Sequence, residues 1–163
     1  MRNLILAAML LASAGAASAG VTVKYEDPDK FQDVPKWEKD REQVLKDLSA
    51  HFAKLGKDLP ADETLNITVT DIDLAGWVEP SRRRIDDIRI LRGGADWPMM
   101  KLQYTLERNG QVIRSGDERI TNMMYQQRIN RYDNSDYLRY EKQMIDDWYH
   151  HAFPAPKISR ADH

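Results

Sequence analysis

Two stretches of the chain alternate apolar and polar residues, which is the period of a β-strand with one buried face. Residues 21–25 alternate in this way, and so do residues 65–69. Beyond the second stretch, Ile72 and Leu74 fall out of phase with it by one position. Because side chains on a strand repeat with a period of two, we expect a β-bulge near residues 70–71.

A third alternating run, residues 100–106, leads into Asn109-Gly110. Asparagine followed by glycine supplies the positive φ angles of a type I′ turn, so this pair predicts a tight hairpin whose return strand begins at Val112. The return strand is polar on both faces after Ile113, which indicates an edge strand. Its charged side chains would discourage pairing with other chains: Arg114, Asp117, Glu118 and Arg119.

Two other stretches have the period of amphipathic helices. The first covers residues 35–56, with Pro35 suited to the first turn and Gly56 to the C-terminal cap. The second begins near Ser135 or Asp136, either of which suits an N-cap, and ends at the prolines of HHAFPAP. Each has one apolar stripe. The stripe of the first is made by Trp37, Val44, Leu45, Leu48, Phe52 and Leu55. The stripe of the second is made by Leu138, Tyr140, Met144, Ile145 and Trp148.

The element order β-α-β-β-β-α predicts an α+β protein with a single domain over residues 20–151. Two helices with one stripe each bury those stripes on one face of a four-stranded, mainly antiparallel sheet. The first two strands are joined through a helix, so we expect them to be parallel with a right-handed crossover. A long connection separates the second and third strands, and residues 152–163 are expected to form a flexible tail.

Residues 1–19 have the pattern of a cleaved secretory signal peptide. Arg2 precedes an apolar run that is shorter than the about 20 residues needed to span a bilayer, and Ala17 and Ala19 fit a cleavage site. The chain has no cysteine, which excludes disulfides and a lipid anchor on an N-terminal cysteine. We therefore predict export to the bacterial periplasm, with secretion as the alternative, and no membrane span after cleavage.

The charge balance argues against a nucleic-acid partner. The chain carries 24 basic and 26 acidic residues, a formal net charge of −2, and loss of Arg2 with the signal makes it one unit more negative. Nucleic-acid binding needs a local or global surplus of positive charge. Any electrostatic function of this chain must therefore be local.

The long connection, residues 76–98, is the main candidate for binding. Its positive and negative charges nearly cancel, and IRIL within it predicts a short strand. A connection of this length is usually functional or ordered by its own contacts, so it is either an internally salt-bridged flap or a surface that receives a partner. Arginine and tryptophan are enriched in binding hot spots, so the candidate partner-binding residues are Trp77, Arg82, Arg83, Arg84, Arg89, Arg92 and Trp97.

No specific catalytic motif is present, since the sequence lacks a G-x-S-x-G elbow, a phosphate loop and an HExxH pair. Asp71 and Asp73, with Asp86 and Asp87 further on, are weak candidates for a calcium site. The glycine pattern of a calcium loop is missing, and nearby arginines compete for these carboxylates. Structural ion pairing is therefore the favoured interpretation of these acids.

The histidines offer a second weak metal candidate. His150 and His151 each follow an aspartate by four residues, so each pair shares one helix face, yet a zinc site needs a third ligand that the sequence does not identify. Both histidines also suit the C-terminal end of a helix dipole. His51 borders the first apolar stripe, with no aspartate, cysteine or second histidine placed to share a metal with it. We predict no bound metal or other cofactor.

Five blocks of the sequence resemble the DUF3016 family of small exported bacterial proteins of unknown function. They are YEDPDKFQDV, TVTDIDLAG, DDIRILRGGADWP, LQYTLERNGQVIRSGDERI and LRYEKQMIDDW, and the resemblance runs over residues 21–148. It implies an envelope or secreted location in proteobacteria. It implies no activity, and it transfers no functional residues.

The leading hypothesis is a non-enzymatic module that binds an envelope protein or ligand through residues 77–97. The arginines would pair with carboxylates or phosphates, and the tryptophans would anchor the contact. One alternative is a metal-assisted hydrolase that uses Asp71 and Asp73 with Asp86 or Asp87. Another is a small-ligand carrier with a cleft between the helices and the sheet.

Overall fold

The computed structural model describes residues 20–79 and 88–154. The predicted signal peptide, Arg82, Arg83 and Arg84 with Asp86 and Asp87, and residues 155–163 of the predicted tail lie outside the described residues. The strands are β1 (Gly20–Tyr25), β2 (Glu63–Asp73), β3 (Trp77–Glu79), β4 (Ile88–Ile90), β5 (Met99–Arg108) and β6 (Gln111–Thr121), and the helices are α1 (Glu38–Leu55) and α2 (Arg139–Ala152).

The main sheet has four strands in the order β1-β2-β5-β6. The strands β1 and β2 are parallel, as the helical connection between them predicts, and the other two pairs are antiparallel. The register shifts between Val69 and Asp71, which confirms the predicted bulge. Because of that shift, Ile72 and Leu74 return to the buried face, and both are fully buried. The strands β3 and β4 form a separate small hairpin.

The hairpin between β5 and β6 confirms the prediction from Asn109-Gly110. Both residues have positive φ, 50° and 78°, as a type I′ turn requires. The strand β6 lies at the edge of the sheet, as its two polar faces predict, and most of its residues are exposed. Its charged residues thus line a free edge.

Both helices bury their stripes on the same core, which confirms the predicted α+β arrangement. From α1, Leu48 and Phe52 are almost fully buried, and from α2 Ile145 is fully buried. They pack with one face of the central strands, which contributes Leu65 and Leu102. This apolar core supplies most of the stabilisation in a chain that has no disulfide. Among the described residues, no helix is long and apolar enough to cross a membrane.

The start of α1 differs from the prediction. The helix begins at Glu38 rather than near Pro35, and its N-cap Trp37 has an extended backbone with φ −70° and ψ 126°. Because Trp37 precedes the first helical turn, its side chain does not join the apolar stripe and is 72% exposed. Gly56 caps the helix as predicted but with φ −63°, so a positive φ is not the reason for glycine. A Cβ there would meet Val21 Cγ2 at 2.2 Å.

The start of α2 also differs. The helix begins at Arg139 with Leu138 as N-cap and no side-chain capping bond, so neither Ser135 nor Asp136 is the cap. Instead, Asp136 accepts a hydrogen bond from the Leu138 N–H at 2.9 Å, within the turn that precedes the helix. The short side chain satisfies a local turn before the helix starts. The helix ends at Ala152, before the prolines, as predicted.

Candidate functional site

The β3–β4 hairpin forms the base of the long connection. Trp77 pairs with Ile90 and Val78 with Arg89, so the short strand predicted from IRIL is confirmed. Gly76 leads into the hairpin with φ 77°, and a Cβ at this position would meet the Ile90 carbonyl oxygen at 2.1 Å. Glycine is therefore needed here both for its φ and for the close approach of the two chain segments.

Arg89 is firmly anchored by buried contacts. Its side chain is 7% exposed and forms an ion pair with Glu141, whose side chain is 1% exposed. Arg89 also donates hydrogen bonds to the carbonyl oxygens of Ala75, at 2.6 Å, and Tyr137. Glu141 Oε1 in turn accepts the Ala75 N–H at 2.9 Å. The pair ties the hairpin to the first turn of α2 and leaves Arg89 little surface for a partner.

Arg92 and Trp77 of the connection are also held by contacts within the chain. The Arg92 guanidinium lies 4.1 Å from the centroid of the Trp77 ring, a cation–π contact. The backbone N–H of Arg92 donates to Asp96 Oδ2 at 2.9 Å, and the Tyr125 hydroxyl donates to Asp96 Oδ1 at 2.9 Å. Trp97 is half-buried. The described part of the connection therefore resembles an internally paired flap more than an open surface.

A groove lies between the segment that precedes α1 and the β3–β4 hairpin. It encloses about 760 Å³ and is lined by residues 28–29 and 31–37, together with Arg41 and Val78. Phe31 and Val34 are 8% and 6% exposed and supply apolar surface, whereas Trp37 projects into solvent. We name residues 28–37 the groove wall. The sequence missed this site because Trp37 was assigned to the helix stripe.

Charged groups on the rim of the groove are balanced. Arg41 forms an ion pair with Asp29 at 2.7 Å and donates to the Lys36 carbonyl oxygen at 3.2 Å. With Asp33 and Lys36, the lining holds two acidic and two basic side chains. Val78 of β3 lines the groove. Because successive side chains of a strand point to opposite faces, the preceding residue, Trp77, points to the other side of the hairpin.

The two acids predicted at the end of β2 have different surroundings. Asp71 forms an ion pair with Lys101 at 2.8 Å, as the structural interpretation predicts. Asp73 forms a parallel backbone bridge with Gln32 of the groove wall. Burial raises the pKa of Asp73 to about 6, helped by Asp33 and Asp71 and opposed by Arg119. The groove wall is distant in sequence from β2, which is why the sequence did not predict its effect on Asp73.

A buried polar cluster joins α1, α2 and the segment before α2. His51 Nε2 lies 2.8 Å from Asp146 Oδ1, and Tyr132 donates to Asp146 Oδ2 at 2.6 Å. Burial alone would raise the pKa of Asp146, but the hydrogen bonds from His51 and Tyr132 outweigh burial and hold that pKa below its usual range. Asp146 reaches His51 from the other helix, a pairing that the sequence around His51 does not indicate.

Two further histidines, His150 and His151, are exposed at the C-terminal end of α2. The carboxylates one turn before them have other partners, since Asp146 binds His51 and Asp147 forms ion pairs with Arg128 and Arg131. Within residues 20–79 and 88–154, no group of three histidine, cysteine or acidic side chains is arranged to hold a metal ion.

Comparison with known proteins places the chain in one family. Neither the curated proteins nor the solved structures contain a significant match. A sequence model described as "Protein of unknown function (DUF3016)" matches residues 19–151, which include the groove, the β3–β4 hairpin, α1 and all but the last residue of α2. The match covers most of the chain and carries no assigned activity. The chain therefore belongs to the DUF3016 family.

Proposed function

We propose that this chain is a non-enzymatic binding module of the bacterial envelope, which receives an extended segment of an envelope protein in the groove. The observation that carries this proposal is Trp37, a large aromatic residue 72% exposed at the rim of a cavity with apolar surface beneath it. Exposed aromatic side chains beside a concave surface are typical of binding hot spots.

The energy available from Trp37 is sufficient to anchor a partner. Removing most of an exposed aromatic ring from water contributes about 2–3 kcal/mol, which corresponds to about 30- to 150-fold in Kd. An exposed Trp37 gains none of this energy in the isolated chain. A partner side chain that packs between Trp37 and the apolar floor of Phe31 and Val34 would gain it.

The charge balance of the groove favours a segment without a strong net charge. Arg41 and Asp29 already neutralise each other, and the other two charged lining residues, Asp33 and Lys36, have opposite signs. Gln32 and Lys36 are exposed and remain as polar groups that fix the orientation of a bound main chain. The groove wall thus combines one aromatic anchor with a polar rim, the usual anatomy of a protein interface.

The envelope location rests on the sequence alone. Residues 1–19 have the pattern of a cleaved signal peptide, and the absence of cysteine is compatible with an oxidising compartment. Fractionation of cells that express the full chain tests this part. We expect the processed protein in the periplasmic fraction, and an unprocessed protein in the cytoplasm would contradict it.

Site-specific photo-crosslinking in living cells tests the groove. A photoreactive residue is placed at Lys36, an exposed residue of the groove wall, and separately at Glu42, an exposed residue of α1 that does not line the groove. We expect one envelope protein to be captured from position 36, not from position 42, and to be lost when Trp37→Ala is added. Equal capture from both positions, or from neither, would contradict the proposal.

Two other functions are less well supported by the structure. A metal-assisted hydrolase needs carboxylates that are free to bind a metal ion, but Asp71 is paired with Lys101. A small-ligand carrier is compatible with the groove volume, which falls within the range of small-molecule sites. Native mass spectrometry of the purified chain separates the carrier from the interaction module, because a carrier would retain a bound molecule of defined mass.

A further inference from the structure

We propose that Met123 and Met124, in the segment between β6 and α2, form a reversible oxidation site. A peroxide oxidises their thioethers to sulfoxides, and an enzyme of the methionine sulfoxide reductase class restores the thioethers. Neither residue lines the groove, so the site is separate from the proposed binding function.

The methionines of the chain fall into two classes of exposure. The sequence has seven methionines and no cysteine, so the thioether is the only side-chain sulfur open to oxidation. Met123 and Met124 are 60% and 55% exposed. The other described methionines are buried: Met99 is 8% exposed, Met100 0% and Met144 2%. Because a thioether must meet the oxidant in order to react, we expect oxidation at Met123 and Met124 first.

The chain on both sides of this pair is fixed by contacts that do not involve sulfur. Before the pair, the backbone N–H of Asn122 donates to the Pro98 carbonyl oxygen at 3.2 Å. After the pair, Tyr125 is only 2% exposed, and its hydroxyl donates to Asp96 Oδ1 at 2.9 Å. The two methionine side chains therefore project from a backbone that stays attached when their sulfur atoms change.

Each oxidation transfers one oxygen atom to one sulfur. A lone pair of the thioether sulfur attacks a peroxide oxygen, the O–O bond breaks, and an S–O bond forms. Hydrogen peroxide is reduced to water, and the sulfur is oxidised by two electrons. The reductase reverses this change: the sulfoxide oxygen leaves as water, while two thiols of the enzyme supply two electrons and two protons and become a disulfide. One reductase is needed for each sulfoxide epimer.

A sulfoxide is compatible with the fold at the exposed pair but not in the core. At Met123 and Met124 water solvates the polar S–O group. Met100 and Met144 belong to the apolar core, where the same group would be buried without a hydrogen-bond donor and would destabilise the fold. Surface changes that break no contact alter the free energy of unfolding little. The chain oxidised at the exposed pair therefore keeps its fold, and its sulfoxides stay within reach of a reductase.

Treatment of the purified chain with hydrogen peroxide tests the site. Peptide mass spectrometry follows each methionine over time at a fixed excess of peroxide. We expect Met123 and Met124 to be oxidised at least about tenfold faster than Met99, Met100 and Met144, because oxidation of a buried methionine requires opening of the fold. In guanidinium chloride, which removes burial, all these rates should agree within about threefold.

The oxidised chain supplies two further measurements. Its thermal midpoint should lie within about 3 °C of that of the untreated chain. The reductases for both sulfoxide epimers, added with a dithiol to the folded oxidised chain, should return the original mass.

The variant Met123→Leu/Met124→Leu is the matched control, because leucine has a similar volume and no sulfur. It should lose the fast oxidation and keep the slow oxidation of the buried methionines. Equal rates at exposed and buried methionines of the folded chain would overturn the site, as would fast oxidation of methionine in the variant. A midpoint lowered by more than about 10 °C, or sulfoxides that the reductases leave unchanged, would overturn its reversibility in the folded chain.

Discussion

The two sides of the groove are held by different kinds of contact. Arg89 lies opposite Val78 in the β3–β4 hairpin and anchors that hairpin through a buried ion pair to Glu141. The groove wall is held at Gln32, whose N–H donates to the Ile72 carbonyl oxygen at 2.8 Å and whose carbonyl oxygen accepts the Leu74 N–H at 3.4 Å. One side of the groove is therefore held by a buried pair of charged side chains, and the other by backbone hydrogen bonds.

The comparison also separates residues that stabilise the fold from a residue that is available for binding. The Arg89–Glu141 pair is almost completely buried, and its atoms bond to backbone groups of Ala75 and Tyr137 as well. Such saturation is typical of a pair that stabilises one conformation. Trp37 is a large side chain with most of its surface in water. We expect substitutions of Arg89 or Glu141 to affect folding and substitutions of Trp37 to affect binding.

The largest effect on stability is expected from breaking the Arg89–Glu141 ion pair. Arg89→Ala leaves the Glu141 carboxylate buried without its charge partner and should lower the free energy of unfolding by about 3–5 kcal/mol. Denaturant unfolding measures this change. The double variant Arg89→Met/Glu141→Met is the control, because it removes both charges, and it should be more stable than the single variant. A loss below 1 kcal/mol for Arg89→Ala would contradict the assigned anchor.

A smaller loss is expected at the His51–Asp146–Tyr132 cluster. Tyr132→Phe removes one hydrogen bond to a buried carboxylate and should cost about 1–2 kcal/mol. The depressed pKa of Asp146 means that its contribution is present above the ordinary aspartate pKa and is lost as pH falls through the folded pKa. Below about pH 4, the free energy of unfolding of Asp146→Asn should therefore fall less steeply with decreasing pH than that of the unsubstituted chain. Equal acid unfolding would argue against this cluster as an acid-sensitive contact.

Asp73 should show the opposite sign. Burial, helped by Asp33 and Asp71, raises the pKa of Asp73 to about 6, so its ionised form is unfavourable in the folded chain at higher pH. Asp73→Asn should therefore raise stability by about 1 kcal/mol at pH 7.5, after allowance for solvent screening, and change it little below about pH 4. Thermal unfolding at both pH values measures the difference. A variant that is less stable than the unsubstituted chain at pH 7.5 would contradict this interpretation of Asp73.

The smallest effect on folding is expected at Trp37. Because its side chain is mostly in water, Trp37→Ala should change the free energy of unfolding by less than about 0.5 kcal/mol. Leu48→Ala, in the fully buried core on α1, should cost about 2–5 kcal/mol in the same assay. A large loss at Trp37 would show that this side chain supports the fold rather than a partner.

Local patterns predicted the elements of the main sheet and the core stripes of both helices. The strand period located the bulge near Asp71, and Asn109-Gly110 located the hairpin, because both signals lie within a few residues. The groove wall could not be predicted in this way. Trp37 continues the helical spacing in sequence, but the chain is extended at that residue. Only the tertiary path of the groove wall leaves the ring in solvent.

The polar contacts were missed for a related reason. Arg89 and Glu141 are 52 positions apart, and His51 and Asp146 are 95 apart, so neither pairing leaves a local spacing signal. The charged connection drew attention to Arg89 as a binding residue, whereas the fold turns it inward. Charge composition indicates that ion pairs will form, but the packing of helices on the sheet decides which charges meet.

The most direct test of the central claim compares the groove with the connection that the sequence favoured. The envelope partner that crosslinking identifies is purified, and its Kd is measured for three proteins: the unsubstituted chain, Trp37→Ala and Arg92→Ala. We expect Trp37→Ala to weaken binding about 30- to 150-fold and Arg92→Ala, which uncovers Trp77, to change it less than about threefold. Weakened binding in Arg92→Ala with unchanged binding in Trp37→Ala would place the interface on the connection and contradict the groove.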